Sequence, residues 1–496
     1  MLDTAYSETV ALYIDGDWIT SELRDSTPLM DPGTGRQIGT VPHATAQDLD
    51  RAVAAALRGF AVWKAMSPHA RARIMNDAAD LIERDADGIA RTLTLENGKP
   101  LAEARGEVLF AAEATRWYAE EGKRAYGRIV PGRTPGLRQM VTKEPVGPVA
   151  AFAAWNFPAS NVIRKIAAAL GAGCSLILKA AEETPGTAVA FVRCFEQAGL
   201  PGGVLNLVFG DPDTISKHLL AAPEIKKLSL TGSTRVGKLL AARAADTLKR
   251  VTMELGGHAP VIIHADADLD LAISTLAAAK FRNAGQVCTS PTRFFVHRSL
   301  YTAFCRGMTG RAKALTLGHG LDEGTQMGPM IAPRRLEVMR DLVEDALAKG
   351  ATLMAGGTSV DRPGWYFAPT VLADLPENAR ILGEEPFGPI VSILPFDSFD
   401  EVIARANALP YGLASFVFTR DGGLAQRTEL ALEAGMVGVN QAWAAKAEPR
   451  GWRPICAPSS FRNCSEGAEH GQGRDHRRDP PRGVRVQCLK SRSVDR

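Results

Sequence analysis

From Val146 onward, short apolar runs recur between longer mixed segments: PVAAFAAW, SLILK, VLNLVFG, KKLSLTG, RVTMEL and APVIIHA. Continuous apolar runs separated by helix-length segments predict strands of a parallel sheet covered on both faces. A second set follows Cys288: TRFFVH, PTVLADL, PIVSILPF, ASFVFTR and GMVGVN. Two α/β sheets in succession, with a crevice between them, is the economical reading. Residues 45–125 carry helical signals instead. Thr45 and Asp48 make a capping pair ahead of LDRAVAAALRGFAVWKAM, and Ser67-Pro68 sets an N-cap before a proline at the first helical position. Between these helices and the first sheet lies GRIVPGRTPGLRQMVTKEPVG. Its prolines and glycines break helix, while RQMVTKEP alternates like an exposed strand, so a β excursion that links domains or pairs with another subunit is expected.

The 496 residues, 45% hydrophobic and 23% charged, suit a soluble globular protein of roughly three units of ordinary domain size. No apolar stretch reaches membrane-spanning length, and MLDTAYSETVALYIDGDW lacks the basic and apolar regions of a signal peptide. Seven scattered cysteines make no disulfide framework. A reducing cytoplasm is the expected location. The net charge of +3 hides an asymmetry: residues 441–496 hold 12 Lys and Arg against 6 Asp and Glu, and the body is mildly acidic. The body has no basic face for nucleic acid.

The candidate chemistry sits in loops and at strand ends. FRNAGQVCTSPTR sets Cys288 among small and polar neighbours. A structural cysteine normally occupies an apolar run, whereas a nucleophilic thiolate needs local donors; alone, the residue supports either reading. LTGSTRVGK follows an apolar strand and leads into a helix. Gly232, Gly237 and Lys238 almost satisfy a Walker A loop, but Leu239 stands where a magnesium-binding hydroxyl is required. A dinucleotide pyrophosphate site and a plain strand–helix turn both remain open. Glu254 in VTMELGGHAP is a strand-end acid, either a partly desolvated general base or a carboxylate held by backbone donors. Asn156 in AAWNFPAS is either an oxyanion donor or a turn residue before Pro158. Lys179 and Glu182 in ILKAAEETPG would ordinarily be solvated loop charges.

The conjunction is more specific. WNFP, ILKAAEETPG, TGSTRVG, MELGG, GQVC and EEPFGP occur in this order, with LENGKP at residues 95–100. Over roughly residues 10–440 the chain resembles the aldehyde dehydrogenase superfamily, closest to NAD-dependent succinate-semialdehyde dehydrogenase-like members. The resemblance implies an α/β fold of two doubly wound parallel-sheet domains plus a small β bridging segment. Residues 1–122 and 146–257 would form the dinucleotide-binding domain, 123–145 the bridging segment and 258–440 the catalytic domain, in a homodimer or homotetramer. It makes Cys288 the nucleophile and Glu254 the general base, with Asn156 and the Cys288 N–H as the oxyanion hole. Lys179 and Glu182 would hold the adenosine ribose, Gly232, Ser233 and Trp155 would lie near the pyrophosphate, and Glu385 and Phe387 would position the nicotinamide ribose and ring. No metal is implied.

The aldehyde would pass through a thiohemiacetal and a thioester on Cys288, which water activated by Glu254 hydrolyses. NAD is expected over NADP, because the Glu182 carboxylate could accept a bond from the ribose 2′-hydroxyl and would repel a 2′-phosphate. Arg164 and Arg282 match arginines that clamp a distal carboxylate, which points to a short ω-oxo acid such as succinate semialdehyde; a plain charged helix face at Arg164-Lys165 is the alternative. Two rival functions are a CoA-acylating semialdehyde dehydrogenase, which needs no water-activating base, and a silent scaffold of the same fold.

Residues 441–496 depart from the resemblance. The expected PFGG loop and closing strand are missing, ten of the 12 basic residues are arginine, and three of the seven cysteines lie here. An out-of-frame reading of GC-rich codons or a genuine basic tail would give this composition. With so few apolar residues, most of the tail is expected to be disordered, leaving the bridging unit without its last strand and the substrate mouth looser.

Overall fold

The computed structural model describes residue 6, residues 8–22 and 24–442, and the strand Val484–Lys490. The expectations of disorder and of a frameshift for the rest of 443–496 lie outside the described residues. Both expected caps form. Thr45 and Asp48 close a reciprocal capping box on helix Ala46–Ala65, and the Ser67 side chain accepts the Ala70 N–H at the start of helix Pro68–Arg84.

Two seven-stranded sheets organise the chain. In the first, the strands run Arg250–Glu254, Lys227–Thr231, Val149–Phe152, Leu176–Lys179, Leu205–Val208, Leu12–Ile14 and Asp17–Ile19. The central strands are parallel and completely buried, as their unbroken apolar runs require. The second sheet runs Thr352–Ala355, Thr370–Ala373, Ile390–Phe396, Pro291–His297, Ala259–Ile263, Ser415–Phe418 and Val437–Val439. Neither sheet is purely parallel. Leu12–Ile14 joins Leu205–Val208 antiparallel, and Thr352–Ala355 joins Thr370–Ala373 antiparallel. The first of these additions lies in the buried run VALYI, the second in the partly exposed TLMA. A separate hairpin pairs Ser26–Asp31 with Arg36–Pro42. Among the described residues no helix is long and apolar enough to cross a membrane.

The β excursion forms as the antiparallel strands Arg128–Pro131 and Leu137–Lys143. Here the structure corrects one expectation: the outer edge of this hairpin is covered. Val484–Lys490 pairs antiparallel with Leu137–Lys143, in register from Val484 opposite Lys143 to Lys490 opposite Leu137. The sequence VRVQCLK sets Val484, Val486 and Cys488 at alternate positions, a short period of two inside an otherwise patternless tail. An edge strand of unpaired N–H and C=O groups is the natural partner for such a segment.

Between the two sheets the described chain crosses once, from Glu254 to Ala259. The strap is tight at Gly257, where a Cβ would stand 2.8 Å from the Cys288 carbonyl; one on Gly256 would meet only the Glu385 carboxylate, which a side-chain rotation can move aside.

Candidate active site

Every strand of the first sheet's centre delivers a loop to the same end. After Val149–Phe152 the chain turns through Trp155 and Asn156 into helix Pro158–Gly171, whose proline at the first turn forfeits an N–H that had no helical partner. Asn156 is 4% exposed. Asn161 Nδ2, one turn along, donates to Asn156 Oδ1 at 3.0 Å and so orients the amide. Asn156 Nδ2 in turn donates to the Gln286 carbonyl at 3.1 Å, two residues ahead of Cys288.

Helix Leu269–Phe281 ends in a tight turn, Arg282–Gly285, and Cys288 follows it half-buried before strand Pro291–His297. Asn283 (φ 47°) and Ala284 (φ 50°) are both left-handed without being glycine, which costs about 1–2 kcal/mol per residue. Gly285 continues in the same region at φ 72°, and a Cβ there would meet the Gly388 carbonyl at 2.2 Å. Hydrogen bonds hold the turn. Asn283 Nδ2 donates to the Asn156 carbonyl at 2.7 Å, Gln286 Nε2 to the Asn283 carbonyl at 3.2 Å, and the Ile331 N–H to Gln286 Oε1 at 3.0 Å.

A cavity of about 810 Å³ opens beside Cys288 and is bordered by Asn156, Glu254, Arg164 and Arg282. Five residues singled out in the sequence thus meet in one space, although they come from four loops and elements. Glu254 is the half-buried last residue of its strand, and its carbonyl accepts the Gly232 N–H at 3.0 Å. The Arg282 guanidinium lies 4.7 Å from the centre of the Phe157 ring, and that of Arg164 lies 5.4 Å from Phe110, distances at which ring faces attract cations.

The remaining singled-out residues lie apart from that cavity. Lys179 and Glu182 form an ion pair just beyond strand Leu176–Lys179; the lysine side chain is only 6% exposed, so it is no solvated loop charge. Ser233 caps helix Thr234–Ala245, its Oγ accepting the Val236 N–H at 3.3 Å, with Gly232 immediately before it. Trp155 and Phe387 meet edge to face with ring centres 5.5 Å apart. Burial pushes the Glu385 carboxyl up to about 7, against the Gly257 N–H that it accepts at 3.2 Å and the nearby Arg335 and Lys280. This donor set suits a dinucleotide: a lysine–acid pair for ribose hydroxyls, a capped helix N-terminus with Trp155 for the pyrophosphate and the Phe387 ring for a flat heterocycle. Among the described residues no three His, Cys, Asp or Glu side chains converge as metal ligands.

Several buried charges escaped the sequence reading. Lys165 does not belong to a charged helix face: it is buried, borders the same cavity and donates to Ser229 Oγ at 2.9 Å, and desolvation lowers its ammonium to about 8. The signal available was a lysine inside the apolar run VIRKIAAAL. Lys99 and Glu107 form an ion pair with side chains 1% and 2% exposed. Lys99 Nζ also donates to the Asn156 carbonyl at 3.0 Å and lies 4.0 Å from the Phe157 ring centre. Lys280 is fully buried, and desolvation lowers it to about 7.

Comparison with known proteins agrees with this architecture. Residues 18–453 match the model of the aldehyde dehydrogenase family. The chain is 42% identical over 430 residues to 3-sulfolactaldehyde dehydrogenase of Pseudomonas putida, covering 87% of this chain and 88% of that protein. It is 40% identical over 427 residues to the NADP-dependent succinate-semialdehyde dehydrogenase GabD of Escherichia coli K12, covering 86% and 89%. The crystal structure of succinate-semialdehyde dehydrogenase from Burkholderia pseudomallei superposes with a TM-score of 0.90 at 37% identity, over 98% of each chain.

Proposed function

This chain belongs to the aldehyde dehydrogenase family and is an NAD(P)-dependent aldehyde dehydrogenase, and we propose that its substrate is a short aldehyde with a distal anion, typified by succinate semialdehyde, with NAD the preferred cofactor. The observation that carries this reading is the presence of Arg164 and Arg282 in the cavity that Cys288 and Glu254 border. A guanidinium offers a carboxylate two parallel hydrogen bonds, so two of them orient an ω-oxo acid by the end remote from the reacting carbon.

Cys288 thiolate adds to the aldehyde carbon, and the oxygen takes up the negative charge between Asn156 Nδ2 and the Cys288 N–H. When bound, the dinucleotide supplies the hydride acceptor. As the thiohemiacetal oxyanion collapses, the C–H bond of the former aldehyde carbon breaks with loss of hydride, which restores the carbonyl and leaves a thioester on Cys288. Glu254 then takes a proton from water, the hydroxide adds to the thioester carbonyl, and breaking the C–S bond returns the thiolate and releases the carboxylate. A strand-end acid in the cavity supports water rather than CoA as the acyl acceptor. The preference for NAD rests on the Lys179–Glu182 pair: with the ribose held there, the Glu182 carboxylate would repel a 2′-phosphate. The family's usual homodimer or homotetramer is the assembly we expect.

A sulfonated aldehyde is the second reading, favoured by the likeness to 3-sulfolactaldehyde dehydrogenase; the same two arginines would receive a sulfonate. Purified protein is to be assayed for NADH formation with succinate semialdehyde, a sulfonated aldehyde and butyraldehyde. Arg282→Ala should raise KM for the anionic aldehydes far more than for butyraldehyde, and equal effects on all three would remove the clamp.

A further inference from the structure

Five residues separate Arg282 from Cys288, and the first three of them, Asn283, Ala284 and Gly285, are left-handed. Two of these carry a Cβ that opposes this conformation, so the turn persists only where its surroundings hold it. The side-chain bonds that hold it come from the loop itself, from Asn156 and from Ile331. One bond reaches the turn's own backbone from helix Leu101–Lys123: the Asn283 N–H donates to Glu103 Oε2 at 3.1 Å. Glu103 occupies the first turn of helix Leu101–Lys123 and borders the cavity that holds Cys288. Burial pushes its carboxyl up, while Lys99, Arg282 and the Asn283 N–H favour its charge. The carboxylate therefore faces two cations and the backbone N–H that opens the strained turn.

We infer that Glu103 is a positioning residue: by accepting the Asn283 N–H it fixes the left-handed turn that sets Arg282 and Cys288 relative to each other. The inference rests on the proposed roles of Cys288 as nucleophile and Arg282 as anion ligand. Glu103 acts through Asn283 and takes no part in bond making. Its effect reaches both ends of the turn, so it couples recognition of the substrate's anion to the placement of the attacking sulfur.

Glu103→Ala and Glu103→Gln test this in the full-length protein, read by the rate of Cys288 alkylation with iodoacetamide, by KM and kcat for succinate semialdehyde and butyraldehyde, and by thermal midpoint. The alanine variant should lose about tenfold in alkylation rate, a small share of what misplacing a reacting group by an ångström costs, and its KM should rise more for succinate semialdehyde than for butyraldehyde. In Glu103→Gln the side-chain amide oxygen still accepts the N–H, so that variant should recover to within about threefold of the parent. Alkylation of the alanine variant at the parental rate overturns the inference. So does a loss that glutamine fails to rescue and that tracks a lowered thermal midpoint, because that is helix destabilisation. Cys288→Ser is the separate control: full turnover without the thiol removes the proposed nucleophile, while the alkylation rates still report on the turn.

Discussion

Asn156 Nδ2 and the Gln286 carbonyl are joined by a 3.1 Å hydrogen bond that ties the first sheet's leading loop to the segment carrying Cys288. The amide is therefore fixed before any substrate arrives, with Asn161 holding its oxygen. Preorganised donors of this kind stabilise developing charge without reorganising. Asn156→Ala should lower kcat by about 10²–10³-fold, about 3 kcal/mol, with a much smaller change in KM. Steady-state kinetics at saturating NAD measures both; a pure KM effect would place Asn156 in substrate binding instead.

Glu254→Gln should leave acylation intact and slow deacylation. Rapid mixing with aldehyde and NAD is expected to give one equivalent of NADH per site followed by slow turnover. Undiminished steady-state turnover would take Glu254 out of the reaction.

Cofactor choice is testable at a single carboxylate. Glu182→Ser removes the partner of Lys179 and frees that ammonium for a 2′-phosphate. The ratio of kcat/KM for NAD over NADP should fall by at least about tenfold, a little over 1 kcal/mol. An unaltered ratio would mean that another residue reads the ribose.

The Lys99–Glu107 pair is almost sealed from solvent, and removing one partner strands the other charge. Glu107→Ala should cost about 3–5 kcal/mol in urea unfolding, whereas replacing both residues with apolar ones of like volume should recover much of it. The double variant should still be slow, because Lys99 also holds the Asn156 carbonyl at 3.0 Å.

His319 Nε2 meets Asp31 Oδ2 at 3.2 Å, linking the N-terminal hairpin to the second sheet's domain. The hydrogen bond to Asp31 raises the imidazole above its usual 6.5; for the aspartate, burial pushes upward but the bonds from His319 and Thr34 win and lower it below 3.8. The raised histidine contributes stability that is full below about pH 6.5 and fades as pH climbs through its folded value. The lowered aspartate contributes stability present above about pH 4 and lost as pH falls through its own folded value. The stability difference between the parent and His319→Gln should therefore peak between about pH 4 and 6.5 and shrink toward pH 9. Urea titrations across that range measure it, and a pH-independent difference would dismiss the ion pair.

The parallel cores were legible because completely buried strands must be continuously apolar. Cys288, Glu254 and Asn156 stood out only through the ordered set of motifs, since each alone admits a structural reading, and the structure brings all three to one cavity. The antiparallel additions at Leu12–Ile14, Asp17–Ile19 and Thr352–Ala355 were not: the last two are partly exposed and lack an unbroken apolar run, and the first stands alone outside the alternation of strand and helix. Lys165, Lys99 and Glu103 escaped for a different reason. A charge within a helical stretch looks solvated until its partner is known; Lys165 and Glu103 bond residues dozens of positions away or more, and Lys99 pairs with Glu107 on the next helix. The strand Val484–Lys490 was hidden by composition: three alternating apolar positions carry little weight among so many arginines.

The strap from Glu254 to Ala259 gives the two halves a shared lever. Because the described chain crosses between the sheets only there, any swing of one half against the other turns about a point one residue beyond the strand that ends in Glu254. The same swing displaces Cys288, whose carbonyl faces Gly257 across the cleft. A methyl group at Gly257 would press on the Cys288 carbonyl like a wedge under that lever and move the sulfur away from the acid. Gly257→Ala should therefore fold like the parent and turn over more slowly, with Gly256→Ala the milder of the two.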